Sequence, residues 1–233
     1  MLIQQSALHD NETCKRLMAA ASEEFAQRGY AGARIRNIVD AAGANLASVN
    51  YYFGGKEGLY RATLGFLAGR AMAGFSGPAV DRRDPSPRKR LYRLVYAFLE
   101  GLSDAPTSPA LGRILAHEAM DPSPNLDRLI EEMLRPQLDH LRHVVRQIAG
   151  SRVPDAEVTS ATIGIAGQCL IYLFGRPALD RIFPQAVRGP RAHARLARQI
   201  ADFSIAGIEA LVVAHDPRSH PPPAARKRPL RGH

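Results

Sequence analysis

The chain has 233 residues, of which 45% are hydrophobic and 23% charged, and these ordinary proportions exclude a wholly disordered protein. Its longest apolar stretch, residues 163–174, is interrupted by two glycines and a glutamine. It is shorter than the roughly 20 residues that a membrane-spanning helix needs, so we expect no association with a membrane. The net charge of +9 favours polyanionic partners such as nucleic acid, but residues 1–60 carry six basic and six acidic side chains. Overall charge therefore does not locate a nucleic-acid-binding surface.

The first third of the chain predicts helices without strands. Asn11 is a suitable cap for a first helix, and Gly29 is expected to end it after Arg28. Gly43 then separates two short helical segments. Apolar residues that recur three and four positions apart predict helices over residues 11–28, 35–42, 46–52 and 56–75.

The remainder of the chain is also predicted to be helical, with prolines between the helices. Pro136 lies inside one helical pattern and is expected to kink or break it. The pattern predicts helices over residues 88–102, 111–120, 125–149, 156–174 and 191–213. We therefore expect an all-α protein with three parts: a domain over residues 1–55, a larger helical domain over 56–214, and a disordered basic tail over 215–233.

The predicted location is the cytoplasm. Residues 1–10 lack the basic start and apolar stretch of a signal peptide. Cys14 and Cys169 lie far apart and form neither a disulfide framework nor a zinc-binding spacing, which fits a reducing compartment. We expect no cofactor.

Residues 35–52 have the pattern of a helix-turn-helix. Such a motif needs a residue with positive φ between two short helices, and Gly43 adopts that conformation without steric cost. The helical spacing predicts that the second helix turns inward the side chains of Ala44, Leu46, Val49 and Tyr52. It turns outward the short polar or aromatic groups that suit base edges and phosphates, namely Asn45, Ala47, Ser48, Asn50 and Tyr51.

Three basic residues lie at or just outside the ends of this motif. Arg34 and Arg36 stand at the start of the first short helix, where each either is an ordinary surface arginine or neutralises a DNA phosphate. Lys56 follows two glycines at the start of the fourth helix, and free backbone N–H groups there favour an anion. We predict phosphate contacts for all three.

This region resembles the DNA-binding domain of the TetR family of transcriptional regulators over an ungapped stretch of about 47 residues. The matching positions are Thr13, Leu17, Ala20, Ala21, Phe25, Gly29, Tyr30, Arg36, Ile38, Ala42, Gly43, Tyr52, Phe53, Lys56, Glu57 and Leu59. A shorter resemblance, to the C-terminal domain of CecR-like members, is carried by Glu118, by residues 122–124, by residues 168–170 and by residues 174–177. The resemblance implies an all-α homodimer that binds operator DNA and responds to a small effector in its C-terminal domain.

The chain departs from the family pattern before the first helix of the motif. Family members usually have Thr or Ser there, whose hydroxyl caps the helix and contacts phosphate, whereas this chain has Ala33 and Arg34. A missing cap costs about 1 kcal/mol locally. The charge of Arg34 is a possible replacement for the phosphate contact.

Polar or adaptable residues on otherwise apolar helices are candidates for an effector pocket. For each of them a place in the core is the alternative. The candidates are Tyr92, Tyr96, His117, Met120, Gln168 and Tyr172. Small residues along 163–174, together with the apolar residues of the last helix, are expected to form the seam of a homodimer.

We expect a repressor that a small effector releases from a pseudo-palindromic operator. The alternatives are a ligand-processing enzyme on a helical scaffold and a motif that packs against protein instead of DNA. No sequence pattern for a nucleophile elbow, a phosphate-binding loop or a metalloprotease supports an enzyme. His140 and His143, the one close pair of histidines, provide too few ligands for a metal site.

Overall fold

The computed structural model describes residues 12–71, 86–101, 108–189 and 191–219, and every regular element in these ranges is a helix. The all-α prediction is confirmed. We number the helices in chain order: α1 (Glu12–Gly32), α2 (Ile35–Ala42), α3 (Leu46–Phe53), α4 (Lys56–Ala71), α5 (Pro87–Gly101), α6 (Ser108–Met120), α7 (Leu126–Leu129, a π-helical turn Ile130–Leu134, and Arg135–Ala149), α8 (Asp155–Phe174), α9 (Arg176–Ile182), α10 (Pro184–Val187) and α11 (Ala192–Ala214). Most of the segment between the predicted helices 56–75 and 88–102 lies outside the described residues, and so does most of the predicted tail.

Helix α1 kinks at Gly29 and continues to Gly32, beyond its predicted end. Gly29 has φ 64° and ψ −179°, a conformation that L side chains rarely adopt. A Cβ there would also lie 3.2 Å from the imidazole ring of His117 on α6. Glycine at this position therefore permits both the kink and the close approach of α6.

A first hydrophobic core joins α1–α4 to α6 and to the first turn of α7. Its fully buried members include Phe25, Ile38, Val49, Leu59 and Ile114. Because side chains of α4 and α6 complete this core, the buried cluster extends well past the predicted domain boundary at residue 55.

A second hydrophobic core lies between α5, α7, α8 and α11. Leu91, Leu99, Val144, Ala197 and Ile208 are each no more than 2% exposed. Cys169 is also buried here, and burial raises the pKa of its thiol to about 12. Tyr92 and Tyr96 are only partly buried against this core.

The expected disruption at Pro136 takes the form of a π-helical turn. A proline inside a helix lacks the N–H donor and clashes with the carbonyl four residues earlier. The backbone widens over Ile130–Leu134, immediately before Pro136, and α-helix resumes at Arg135. The helical conformation therefore continues through Pro136, with a change of hydrogen-bond pattern instead of a break.

Two short helices between α8 and α11 were not predicted. Pro177 and Pro184 are among the prolines that predict boundaries between helices, but each lies in the first turn of a helix, α9 and α10. Proline is well tolerated there because the N–H it lacks has no partner within the helix.

Within the described ranges one helix, α8, is long and apolar enough to cross a membrane by those two criteria alone, and 22% of the tested stretch is buried. This is weak evidence, because core helices of other proteins pass the same test. One side of α8 is packed in the second core through Val158, Thr162, Ile165 and Cys169.

Candidate nucleic-acid interface

The turn between α2 and α3 has the predicted helix-turn-helix geometry. Gly43 is left-handed, with φ 58° and ψ 43°, and its N–H donates to the carbonyls of Asp40 and Val39. The N–H of Ala44 also donates to the Val39 carbonyl, at 2.9 Å. Val39 and Val49 are buried where the two helices meet, so the crossing of α2 and α3 is held by both packing and hydrogen bonds.

Asn45 caps the N-terminus of α3. Its Oδ1 accepts hydrogen bonds from the backbone N–H and the hydroxyl of Ser48, at 2.8 Å and 2.9 Å. These two predicted DNA-contacting residues are therefore bound to each other. The cap uses the Oδ1 atom of Asn45 and does not use its Nδ2 donor. Ser48 is half-buried.

The outward side of α3 is exposed. Tyr51 has 83% of its surface accessible, and Ala47 and Asn50 are also exposed. The prediction that Leu46 turns inward is wrong, because this residue is 58% exposed. It starts an eight-residue helix whose packing centres on Val49, one turn later, and the described part of the chain leaves that first turn uncovered.

In the described part of the chain, helix α2 has no side-chain cap on its first N–H groups, but Glu24 of α1 binds its N-cap residue. Oε1 of Glu24 accepts from the backbone N–H of Arg34 at 3.0 Å and from Nδ2 of Asn37 at 2.9 Å. Burial raises the pKa of Glu24, but these hydrogen bonds and the nearby charge of Arg28 outweigh it and hold the pKa below its usual value. Arg34 donates to Glu24 through its backbone N–H, and both Arg34 and Arg36 are exposed.

Replacing Glu24 with alanine is expected to destabilise the protein by about 1 kcal/mol at neutral pH, because the backbone N–H of Arg34 and the side-chain amide of Asn37 then lose their shared carboxylate acceptor. Since the folded-state pKa of Glu24 is lowered, this contribution is present at neutral pH and is lost as acidification passes that pKa. Urea unfolding at several pH values measures it. Gln27→Ala, on an exposed position of the same helix, is the control, and an equal loss in both variants would show that the two hydrogen bonds of Glu24 do not stabilise the start of α2.

Lys56 is at the start of α4, as predicted, but its side chain folds back onto α1. The Nζ atom donates to the carbonyl of Ala31 at 3.3 Å and lies 4.9 Å from the centre of the Tyr30 ring. Burial lowers the pKa of Lys56, and the nearby Glu24 opposes this shift. An ammonium has three donors, so this contact leaves two for a phosphate.

Two family models match this chain. Residues 17–63 match the model of bacterial regulatory proteins of the tetR family. Residues 87–208, more than half of the chain, match the model of the C-terminal domain of the HTH-type transcriptional dual regulator CecR. The chain belongs to the TetR family.

Curated relatives agree with this membership, and solved structures show the same fold. The HTH-type transcriptional dual regulator CecR of Shigella flexneri is 26% identical over 71% of this chain and 77% of its own length. The HTH-type transcriptional repressor NicS of Pseudomonas putida is 26% identical over 85% and 93%. Two solved structures share the fold: a transcriptional regulator from Rhodococcus sp. Rha1 (TM-score 0.59, 21% identity, 83% and 96% covered) and PfmR from Thermus thermophilus (0.57, 19%, 82% and 97%).

In this TetR-family protein the DNA-binding helices are joined to the rest of the molecule by residues that the sequence analysis did not assign. The hydroxyl of Tyr60 on α4 donates to Oε1 of Glu118 on α6 at 2.5 Å, and both side chains are buried. The other carboxylate oxygen of Glu118 accepts from the N–H of Ser123 at 3.0 Å. The CecR-like resemblance at Glu118 and 122–124 was the available signal for this connection.

The six predicted effector residues do not converge on one site. Met120 is 88% exposed at the end of α6, and His117 packs against Gly29 of α1. The Tyr92 ring lies under Arg198 in a groove between α5 and α11. The hydroxyl of Tyr96 donates to Glu100, and the side-chain amide of Gln168 donates to Ser204. The ring of Tyr172 lines a cavity.

Of the six, Tyr172 is the one that lines the cavity between α6 and α8, which we call the α6–α8 cavity. Its volume is about 360 Å³, and α5, α9 and α11 complete its walls. A Cβ at Gly112 of α6 would lie 2.8 Å from Leu173 of α8, so the two helices are in close contact beside it. The lining comprises Leu99, Pro109, Gly112, Arg113, Ala116, Tyr172, Leu173, Phe174, Arg176, Pro177, His193 and Leu196.

Proposed function

We propose that this protein is a homodimeric repressor that binds a pseudo-palindromic operator and leaves it when a small effector occupies the α6–α8 cavity. The observation that carries the proposal is the exposed outward side of α3 in a complete helix-turn-helix. One relative is named a repressor and another a dual regulator, which supports a role in controlling transcription.

In this proposal α3 lies in the major groove. Asn45, Ala47, Ser48, Asn50 and Tyr51 then read base edges and the thymine methyl group. Arg34, Arg36 and Lys56 contact phosphates and position the motif on the duplex. Two copies of α3 in a dimer would enter successive grooves about 34–36 Å apart.

Lys56→Ala is expected to weaken binding to all duplexes about equally and to reduce the salt dependence of binding by about one phosphate contact. Asn50→Ala is expected to relax sequence preference instead, at a cost of about 1–3 kcal/mol for the preferred site. Fluorescence anisotropy with operator and scrambled duplexes over a salt series measures both. Lys89→Ala, at an exposed lysine of α5, is the control, and DNA binding that ignores salt would contradict the proposal.

The proposed dimer surface combines exposed apolar residues of α8 and α11. Ile163, Ile171 and Phe174 on α8 are 65%, 51% and 44% exposed, and Phe203 on α11 is 72% exposed. Added Cβ atoms at Gly164, Gly167 and Gly207 would meet nothing within 4 Å, so a second pair of helices can approach closely. Ile200, Ile205 and Ile208 of α11 are buried within the chain and therefore do not belong to the surface.

Phe203→Arg is expected to give a monomer, because dimerisation would bury an unpaired charge in an apolar seam. Operator affinity should then fall by roughly a hundredfold or more, since each monomer reaches one half-site only. Sedimentation and anisotropy measure these effects. Leu138→Arg adds the same charge at an apolar side chain of α7 that is 44% exposed, and a dimer that survives Phe203→Arg would contradict the proposed surface.

Effector release requires an effector that binds best to a conformation with wrongly spaced α3 helices. Helix α6 lines the α6–α8 cavity, and its Glu118 accepts a hydrogen bond from Tyr60 of α4. The two helices therefore provide a route from the cavity to the DNA-binding region.

We further propose a cytoplasmic location and the division into residues 1–55, 56–214 and a basic tail from 215. A function in transcription rather than catalysis agrees with the names of the relatives.

A further inference from the structure

The α6–α8 cavity combines apolar walls with basic groups. Leucines from α5, α8 and α11 form its apolar surface, and the described residues that line it include no carboxylate. Its basic side chains come from three helices: Arg113, Arg176 and His193. The complementary ligand has an apolar body and a negatively charged group.

Arg176 is oriented by a contact outside the cavity lining. Its Nε lies 3.2 Å and 3.3 Å from the two carboxylate oxygens of Asp180. Asp180 also accepts from Nε of Arg188 at 3.1 Å, so one carboxylate faces two guanidinium groups. The contact with Asp180 uses Nε of Arg176 and leaves its two terminal NH₂ groups as donors for an anion.

Arg113 connects the cavity to the DNA-binding region through a weak ion pair. Its guanidinium lies 3.7 Å from Oε2 of Glu23 on α1, and the two side chains are 52% and 62% exposed. A pair at this distance and exposure contributes little to stability. A carboxylate inside the cavity can therefore compete with Glu23 for the same guanidinium.

We infer that the α6–α8 cavity binds a small organic monocarboxylate with an aromatic or aliphatic body, and that Arg113 and Arg176 bind its carboxylate. The inference rests on the proposed function in taking this cavity as the effector site. A volume of about 360 Å³ is at the lower end of small-molecule sites, which limits the ligand to a ring system or a short chain. Binding removes the partner of Glu23 on α1 and so changes the contact between α6 and the DNA-binding region.

The test is calorimetric titration of the full-length protein, without DNA, with benzoate, 2-naphthoate and octanoate and with their uncharged amides. At least one acid is expected to bind saturably and about tenfold or more tightly than its amide, because charge-assisted bonds to guanidinium are the strong ones. Arg113→Gln and Arg176→Gln should each lower the affinity for the acid and reduce its advantage over the amide. Glu23→Gln should raise the affinity for the acid about two- to threefold, because the competing carboxylate is gone.

Arg198→Gln is the matched control, since this arginine lies over Tyr92 in a different groove; it should leave the affinity for the acid unchanged. The inference is overturned if no acid binds saturably, if acid and amide bind equally, or if Arg198→Gln has the same effect as Arg113→Gln and Arg176→Gln. If Glu23→Gln binds the acid more weakly than the unmodified protein does, Glu23 does not compete with the ligand for Arg113. Operator binding without acid binding contradicts this inference alone, whereas acid binding by a protein that binds no duplex contradicts the proposed function alone.

Discussion

Gly58→Ala is expected to destabilise the protein by about 3 kcal/mol, the upper end of what overpacking usually costs. A Cβ at Gly58 would overlap the carbonyl oxygen of Phe53 and lie 2.9 Å from its carbonyl carbon. Both are backbone atoms of the last residue of α3, so no side-chain rotation relieves the clash. Either α3 or the start of α4 must move.

Gly65→Ala is the matched control, on the same helix. A Cβ there would meet nothing within 4 Å, and alanine in a helix is about 0.5–1 kcal/mol more favourable than glycine. Urea unfolding should therefore give opposite signs for the two variants. If Gly58→Ala were as stable as the unmodified protein, the close contact between α3 and α4 would not exist.

The same clash predicts a loss of DNA binding. The last residue of α3 and the first turn of α4 are in direct contact at Gly58, so a shift that relieves the clash also changes the angle of the exposed side of α3. A variant that remains folded at low temperature should bind operator duplex more weakly than Gly65→Ala does. This effect separates the junction from the general stability of the fold.

Local patterns predicted the parts of the structure that depend on neighbours in the chain. Gly43 was recognised because a tight turn between two short helices needs a left-handed residue, and the structure has one there. The exposure of Asn50 and Tyr51 follows from helical spacing in the same way. The exposure of Leu46 does not follow from helical spacing. Periodicity predicts which side of a helix a residue lies on, but it does not predict whether another helix covers that side at the first turn.

Contacts between distant residues could not be predicted from the sequence. Glu24 accepts a hydrogen bond from the backbone of Arg34, ten residues later in the chain, and no local pattern in either segment predicts this pairing. The candidate effector residues were chosen by helix and residue type, yet His117 packs on α1 whereas Tyr172 lines the α6–α8 cavity. The position of such a residue depends on which helices pack together, and a single sequence does not show that packing.

Tyr60→Phe is expected to cost about 1–3 kcal/mol, although it removes a single oxygen atom. The hydroxyl donates to Glu118 at 2.5 Å where both side chains are buried, and a buried carboxylate oxygen that loses its donor pays the desolvation penalty. Burial and the hydrogen bond with Glu118 raise the pKa of Tyr60 well above its usual range, so the phenol remains a neutral donor across the working pH range.

Tyr96→Phe removes the same atom from a comparable but more exposed contact. The hydroxyl of Tyr96 donates to Glu100 at 2.8 Å one turn along α5, where the pair is only part-buried, so the loss should stay within about 0.5 kcal/mol. A double-mutant cycle with Tyr60→Phe and Glu118→Gln should give a coupling energy of about 0.5–3 kcal/mol, since the two groups contact each other directly. Additive effects in that cycle would show that α4 and α6 are held together by packing alone. In that case the Tyr60–Glu118 hydrogen bond could not carry a signal from the α6–α8 cavity to the DNA-binding helices.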